Sequence, residues 1–142
     1  MLWFLQRLLG DKKAIGSGDR GEQLATEWLQ RERRFIIVAR NWRSPKDRRE
    51  EIDLVCRDQE TLVFVEVKAR SASALVPGYY AVDQRKKRVL RRAVRAYLAQ
   101  LKVKPATFRF DVVEVTFPGN AISPPAILQF ENVPLFSKSF RA

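Results

Sequence analysis

Asp53, Glu66 and Lys68 place charge inside the most apolar stretch of this 142-residue chain. Residues 61–67 read Thr-Leu-Val-Phe-Val-Glu-Val, apolar on both faces, which is the pattern of a strand covered on both sides. Strand side chains repeat with a period of two, so Leu62, Phe64, Glu66 and Lys68 are predicted to point one way and Val63, Val65 and Val67 the other. Roughly 6 to 7 Å then separates the Cα atoms of Glu66 and Lys68, and a carboxylate and an ammonium reach one small volume. Unpaired charges are costly to bury, so such groups persist when paired, metal-bound or catalytic.

The preceding run, Glu51-Ile52-Asp53-Leu54-Val55-Cys56, carries the same conflict. Period two assigns Ile52, Leu54 and Cys56 to one face and Glu51, Asp53 and Val55 to the other. The polar break Arg57-Asp58-Gln59-Glu60 predicts a tight hairpin. Asp53 and Glu66 then lie on adjacent antiparallel strands and project to the same face. Two carboxylates and a lysine are the smallest set that holds a hard divalent cation beside a phosphodiester. Lys68 would orient or help deprotonate the attacking water and stabilise charge at the phosphate. The structural alternatives are a solvated edge position for Asp53 and a plain salt bridge for Glu66 and Lys68. Glu22 is open to two readings: the acid of a capping box begun by Asp19, or a carboxylate turned to the core side by the i, i+3, i+7 spacing of Glu22, Ala25 and Leu29. Glu51 is a weaker ligand candidate, and Asp111 pairs with Arg109 or a basic helix residue in a structural role.

These groups need elements to position them. Asp19 opens an amphipathic helix carrying Leu24, Ala25, Trp28 and Leu29 and ending near Arg33. Phe35–Ala39 forms a strand, followed by Asn41-Trp42-Arg43 and the charged loop Ser44-Pro45-Lys46-Asp47-Arg48-Arg49. The two acidic strands come next, then a Ser/Ala/Pro/Gly-rich loop over 71–80 with Tyr79 and Tyr80. Asp83 caps a second helix with an apolar stripe of Leu90, Val94, Tyr97 and Leu101. Phe108–Val115 and Ala126–Phe130 complete the strands. The predicted class is α/β, a mixed sheet flanked by helices in the order α-β-β-β-α-β-β. One domain spans 18–131, preceded by a short amphipathic segment and glycine-bearing joint over 1–17 and followed by an irregular tail over 132–142.

Lysine and arginine number 27 against 16 acids, a net +11, and the economical partner is a polyanion. The second helix concentrates this charge in Arg85, Lys86, Lys87, Arg88, Arg91, Arg92 and Arg95 with almost no compensating acid, which favours a phosphate-binding surface over a merely solvated face. The chain has no histidine, which excludes Ser-His-Asp and Cys-His catalysis, His-ligated zinc and histidine-base nucleases. The single cysteine, Cys56, has no disulfide partner and sits in an apolar strand pattern, fitting a structural thiol in the cytoplasm. The apolar part of Met1–Gly10 is too short to span a bilayer and lacks the layout of a signal peptide.

Gly21-Glu22, Asn41-Trp42-Arg43, Glu51-Ile52-Asp53-Leu54-Val55, Leu62 through Arg70 (Leu-Val-Phe-Val-Glu-Val-Lys-Ala-Arg) and Arg109-Phe110-Asp111-Val112-Val113 together resemble the bacterial YraN-like family. The resemblance covers residue 18 to about 115. That family looks like a branch of the PD-(D/E)XK nuclease superfamily, akin to archaeal Holliday-junction resolvases, and implies a restriction-endonuclease-like core. By this resemblance Asp53 matches the motif's Asp, Glu66 its acidic ligand, Lys68 its lysine and Glu22 its first-helix glutamate. Lys86 falls where the family carries a lysine at the start of the second helix. Two departures stand out: Glu50 replaces the usual glycine before Glu-Ile-Asp, and the loop before it is longer and more charged. Ile52 occupies the position of the superfamily's proline.

Two functions follow as expectations. One is an endonuclease that hydrolyses phosphodiester bonds in DNA, branched or damaged, with Asp53 and Glu66 holding Mg²⁺ or Mn²⁺, Lys68 assisting, and the basic helix gripping the backbone without reading sequence. The alternative is a nucleic-acid-binding module that keeps the fold and cuts nothing. The junction-cutting relatives act as dimers, so the resemblance also implies a homodimer.

Overall fold

A computed structural model describes residues 17–72, 83–137 and 140. Helix α1 (Ser17–Glu32) precedes strands β1 (Ile36–Arg43), β2 (Glu51–Asp58) and β3 (Thr61–Ser71), helix α2 (Gln84–Gln100), and strands β4 (Thr107–Phe117) and β5 (Ala126–Phe130). The five strands form one sheet in the order β1-β2-β3-β4-β5. β1, β2 and β3 are an antiparallel meander, β3 and β4 are parallel, and β5 returns antiparallel to β4. The parallel pair requires a crossover, and α2 lies within it. The expected α/β class and element order hold.

Each face of the sheet buries its own apolar set. On one side Ala25 and Leu29 of α1 pack with Leu54, Cys56, Val63, Val65, Val113 and Val115. On the other, Leu90, Ala93, Val94, Tyr97 and Leu98 of α2 pack with Val55, Phe64, Phe110 and Val112. Period two in the strands and 3.6 in the helices accounts for both sets. The helices have defined ends. Asp83 accepts the Lys86 N–H at 2.8 Å as the α2 N-cap. At the end of α1, the Arg33 and Phe35 N–H groups both donate to the Leu29 carbonyl, with Arg34 left-handed at φ 56°. Among the described residues no helix is long and apolar enough to cross a membrane.

Three features differ from the sequence reading. β1 continues through Asn41-Trp42-Arg43, beyond the strand end at Ala39 that the sequence pattern predicts. Ile52 packs in the α2-side cluster, opposite Leu54 and Cys56, although simple alternation groups all three. The chain after Glu131 has no helix or strand among the described residues, yet Val133 and Leu135 are buried in the α2-side core. The N-terminal segment over 1–16 and the connecting loop with Tyr79 and Tyr80 lie outside the described residues.

Candidate functional site

The site lies where β2 parts from β3. Their last paired rung is Leu54 with Val65. From there residues 51 and 52 pair only with β1, while β3 runs on to Ser71 alongside β4. Asp53 and Glu66 therefore stand on either side of the opening, one residue past that rung. A strand's N–H points in the plane of its sheet, and the Val67 N–H, which would otherwise enter the β2 ladder, donates to Asp53 Oδ2 at 2.8 Å. The Asp53 carboxylate thus sits in the fork, tied to the backbone of β3.

Asn41 explains how β2 opens this way. It stands between the rungs Arg40–Leu54 and Trp42–Ile52, opposite Asp53, and is left-handed at φ 48°, a conformation that asparagine tolerates better than most residues. Alternation breaks at this level. Leu54 faces α1, while Ile52 and its partner Trp42 face α2, where Trp42 meets the Tyr97 ring edge-on at 5.3 Å between centroids. The Asn41 side chain also lies beside Glu22 and favours its ionised form.

Glu66 is 3% exposed, and its two oxygens have different surroundings. Oε1 receives two ammonium groups, Lys68 Nζ from β3 and Lys86 Nζ from α2, each at 3.4 Å. Oε2 is buried and has no hydrogen-bond donor among the described residues. A proton on Asp53 would supply one. Burial first, and the Glu66 carboxylate second, push the Asp53 carboxyl up to about 8, against the opposing pull of the Val67 N–H. Burial and the nearby Glu51 and Asp19 carboxylates likewise raise Glu22, partly offset by Asn41 and Arg40. Cys56, buried beneath the sheet, has its thiol pushed up to about 12 and is inert.

Two facing carboxylates, one with an orphaned buried oxygen and one with its proton affinity raised, suit a hard divalent cation. Among the described residues no three His, Cys, Asp or Glu side chains form a donor group. A pair fits Mg²⁺, which keeps several waters and takes one or two protein carboxylates. Lys68 and Lys86 remain partly exposed, 26% and 39% at the side chain, and can meet an anion entering from solvent.

The predicted residues are distributed as follows. Asp53, Glu66 and Lys68 meet in the fork. Glu22 borders it electrostatically, since its charge also raises Asp53. The helix begins at Ser17, so Asp19 lies within its first turn, which is not the N-cap position that the capping-box reading of Glu22 needs. Glu51 pairs with Arg43 at 3.3 Å. Asp111 is structural as expected, accepting from Arg109, Gln129 and the Asn132 N–H. The seven cations of α2 do not form one surface. Lys86 enters the fork, Arg91 donates to the Leu135 carbonyl, and Arg95 lies over Phe136 and Phe140. Arg85, Arg88 and Arg92 face the β1–β2 loop, and Lys87 is half-buried.

Sequence reasoning did not assign roles to Asn41 or Gly21. Gly21 is buried against β3, where a Cβ would come within 2.8 Å of the Ala69 Cβ, and this close approach brings Glu22 to the fork. An ion pair between the half-buried Arg70 and the buried Glu114 at 3.0 Å extends the charged face beyond Lys68, whose rung partner on β4 is Glu114.

Residues 21–115 match the model of the uncharacterised protein family UPF0102. A UPF0102 protein of Geobacter metallireducens is 39% identical over 122 residues, covering 86% of this chain and 90% of the relative. One from Beutenbergia cavernae is 45% identical over 104 residues, covering 73% and 83%. Another from Nocardia farcinica is 41% identical over 107 residues, covering 75% and 80%. The matched region holds Glu22, Asn41, Asp53, Glu66, Lys68 and Lys86, all the residues that build the fork, and the chain belongs to the UPF0102 family, the YraN-like proteins.

Proposed function

We propose that this chain is a metal-dependent endonuclease that hydrolyses phosphodiester bonds in DNA, with the β2–β3 fork as its active site. The observation that carries the proposal is the pairing of Asp53 with Glu66 across the fork, one oxygen of Glu66 lacking a donor and two lysines bound to the other. Structural ion pairs do not require a second carboxylate pressed against the first, where burial and repulsion penalise the ionised form of Asp53. Catalytic sites do.

A divalent cation held by Asp53 and Glu66 would supply Lewis acidity to the phosphoryl group and to the water that attacks it. Lys68 and Lys86 sit on the solvent side of Glu66, where they offset charge that grows on the phosphate in the transition state. Lys68 also lies close enough to the pair to orient the attacking water. The Val67 N–H fixes Asp53, so its carboxylate needs little rearrangement. The net charge of +11 suits a nucleic-acid substrate.

Supercoiled plasmid and a synthetic four-way junction, incubated with Mg²⁺ or Mn²⁺, test this reading. Cleavage that depends on the metal and falls by about 10²–10⁴-fold in both Asp53→Ala and Lys68→Ala is the expected result. Salt-sensitive DNA binding with no cleavage of either substrate would favour a non-catalytic binding module instead.

A further inference from the structure

Three of the α2 cations line a groove of their own. Arg85, Arg88 and Arg92 recur at helical spacing along one stripe and face Asp47, Arg49 and Glu50 of the β1–β2 loop across a cavity of about 450 Å³. The loop is built rather than slack. The Ser44 N–H donates to the Glu50 carbonyl at 3.0 Å, the Glu50 N–H to the Asp47 carbonyl at 3.0 Å, and Ser44 itself is buried. Asp47 grips the Arg49 guanidinium with both oxygens, at 3.0 and 2.9 Å, and accepts the Arg49 N–H at 3.1 Å. Arg49 is thereby held in place with its side chain 87% exposed. Arg43 donates to the Arg48 carbonyl at 3.4 Å.

Charge and position together specify what this groove would bind. With Asp47 and Arg49 paired to each other, the three helix arginines face one further acid, Glu50. Guanidinium groups are suited to bidentate contact with phosphate oxygens. The groove shares the first turn of α2 with the fork, Arg85 facing one and Lys86 the other, and the loop leads directly into the Asp53 strand. A polyanion lying along Arg92, Arg88 and Arg85 therefore arrives at the carboxylate pair.

We infer that the loop over residues 44–50 and the Arg85–Arg88–Arg92 stripe of α2 form a clamp for the sugar-phosphate backbone of duplex DNA flanking the scissile bond. This rests on the reading of the chain as a DNA-acting protein and extends it by dividing the basic helix: Arg91 and Arg95, spent on the C-terminal segment, lie outside the clamp. Backbone contacts of this type position the duplex and carry no sequence information.

The test is fluorescence anisotropy of a labelled DNA duplex titrated with the full chain, without divalent cation, over a salt series. Arg88→Ala/Arg92→Ala and Arg48→Ala/Arg49→Ala are compared with Arg31→Ala/Lys102→Ala, which removes two exposed charges elsewhere. Each released phosphate contact contributes a slope of about 0.9 in log K against log salt. The clamp variants are expected to bind about tenfold or more weakly at low salt and to lose roughly 1 to 2 units of slope, with the control close to the parent. Equal losses in all three variants, or a parent whose binding does not depend on salt, would overturn the clamp. Binding is read without metal and cleavage in the separate Mg²⁺ or Mn²⁺ assay, so clamp-dependent binding with no cleavage in the metal-containing assay defeats the nuclease reading alone, and metal-dependent cleavage with unaltered binding in the clamp variants defeats the clamp alone.

Discussion

At the residue scale, the chemistry turns on one strained electrostatic arrangement. Asp53 is pulled one way by the Val67 N–H and pushed the other by burial and Glu66, and the push prevails. Its carboxyl binds a proton in the folded chain up to about pH 8 but only near 3.8 when unfolded. The folded state is therefore favoured below pH 3.8 by this group, and that contribution is lost as pH rises towards 8. In the absence of divalent cation, thermal stability should decline across this interval, and Asp53→Asn should flatten the decline. At pH 8 the variant should melt several degrees above the parent, as expected for a gain of about 1–2 kcal/mol, while losing cleavage. Equal melting temperatures for parent and variant across the interval would show that Asp53 carries no such penalty. A gain in stability with the amide would mark the site as functional rather than architectural.

At the element scale, close approach and broken alternation create the site. Gly21 lets α1 lie against Ala69 of β3, with no room for a methyl group. Gly21→Ala should cost about 1–3 kcal/mol through overpacking and reduce activity by displacing Glu22. Adding Ala69→Gly should recover much of the stability, and a double-mutant cycle measures the coupling. Additive losses in the cycle would contradict the contact. Much of this level was legible in sequence. The α2 cap at Asp83, the bounds of β5 and the polar turn between β2 and β3 each depend on local residue preferences, and period two correctly assigned Phe64 and Glu66 to one face and Val63 and Val65 to the other. Asn41 was harder to read. A polar residue in left-handed conformation between Arg40 and Trp42 looks like the end of a strand, whereas it is the point at which β1 and β2 reverse their faces. That reversal moved Ile52 and opened the fork. It depends on pairing between strands distant in sequence, which no local pattern encodes. Val133 and Leu135 escaped for a related reason: they enter the core from irregular chain, without a period to reveal them.

At the scale of the whole molecule, the fold divides the labour between two ends of one sheet. The end of β1, the start of β2, the far end of β3 and the first turn of α2 gather the carboxylates, the two lysines and the arginine groove. The aromatic cluster of Phe108, Phe136 and Phe140, with Arg95 over it, packs elsewhere against α2. The excess positive charge is thus not uniform in purpose, although in the sequence the seven α2 cations form a single run. Two carboxylates held together before any cation arrives can serve as a cation site only if binding expels the proton that Asp53 retains near neutrality. Calorimetric titration of the intact chain with Mn²⁺ at pH 7, repeated in buffers of different ionisation enthalpy, measures this directly. The predicted result is one site per chain, release of close to one proton, and loss of binding in both Asp53→Asn and Glu66→Gln. Absence of binding, or binding that survives both substitutions, would contradict a cation site in the fork.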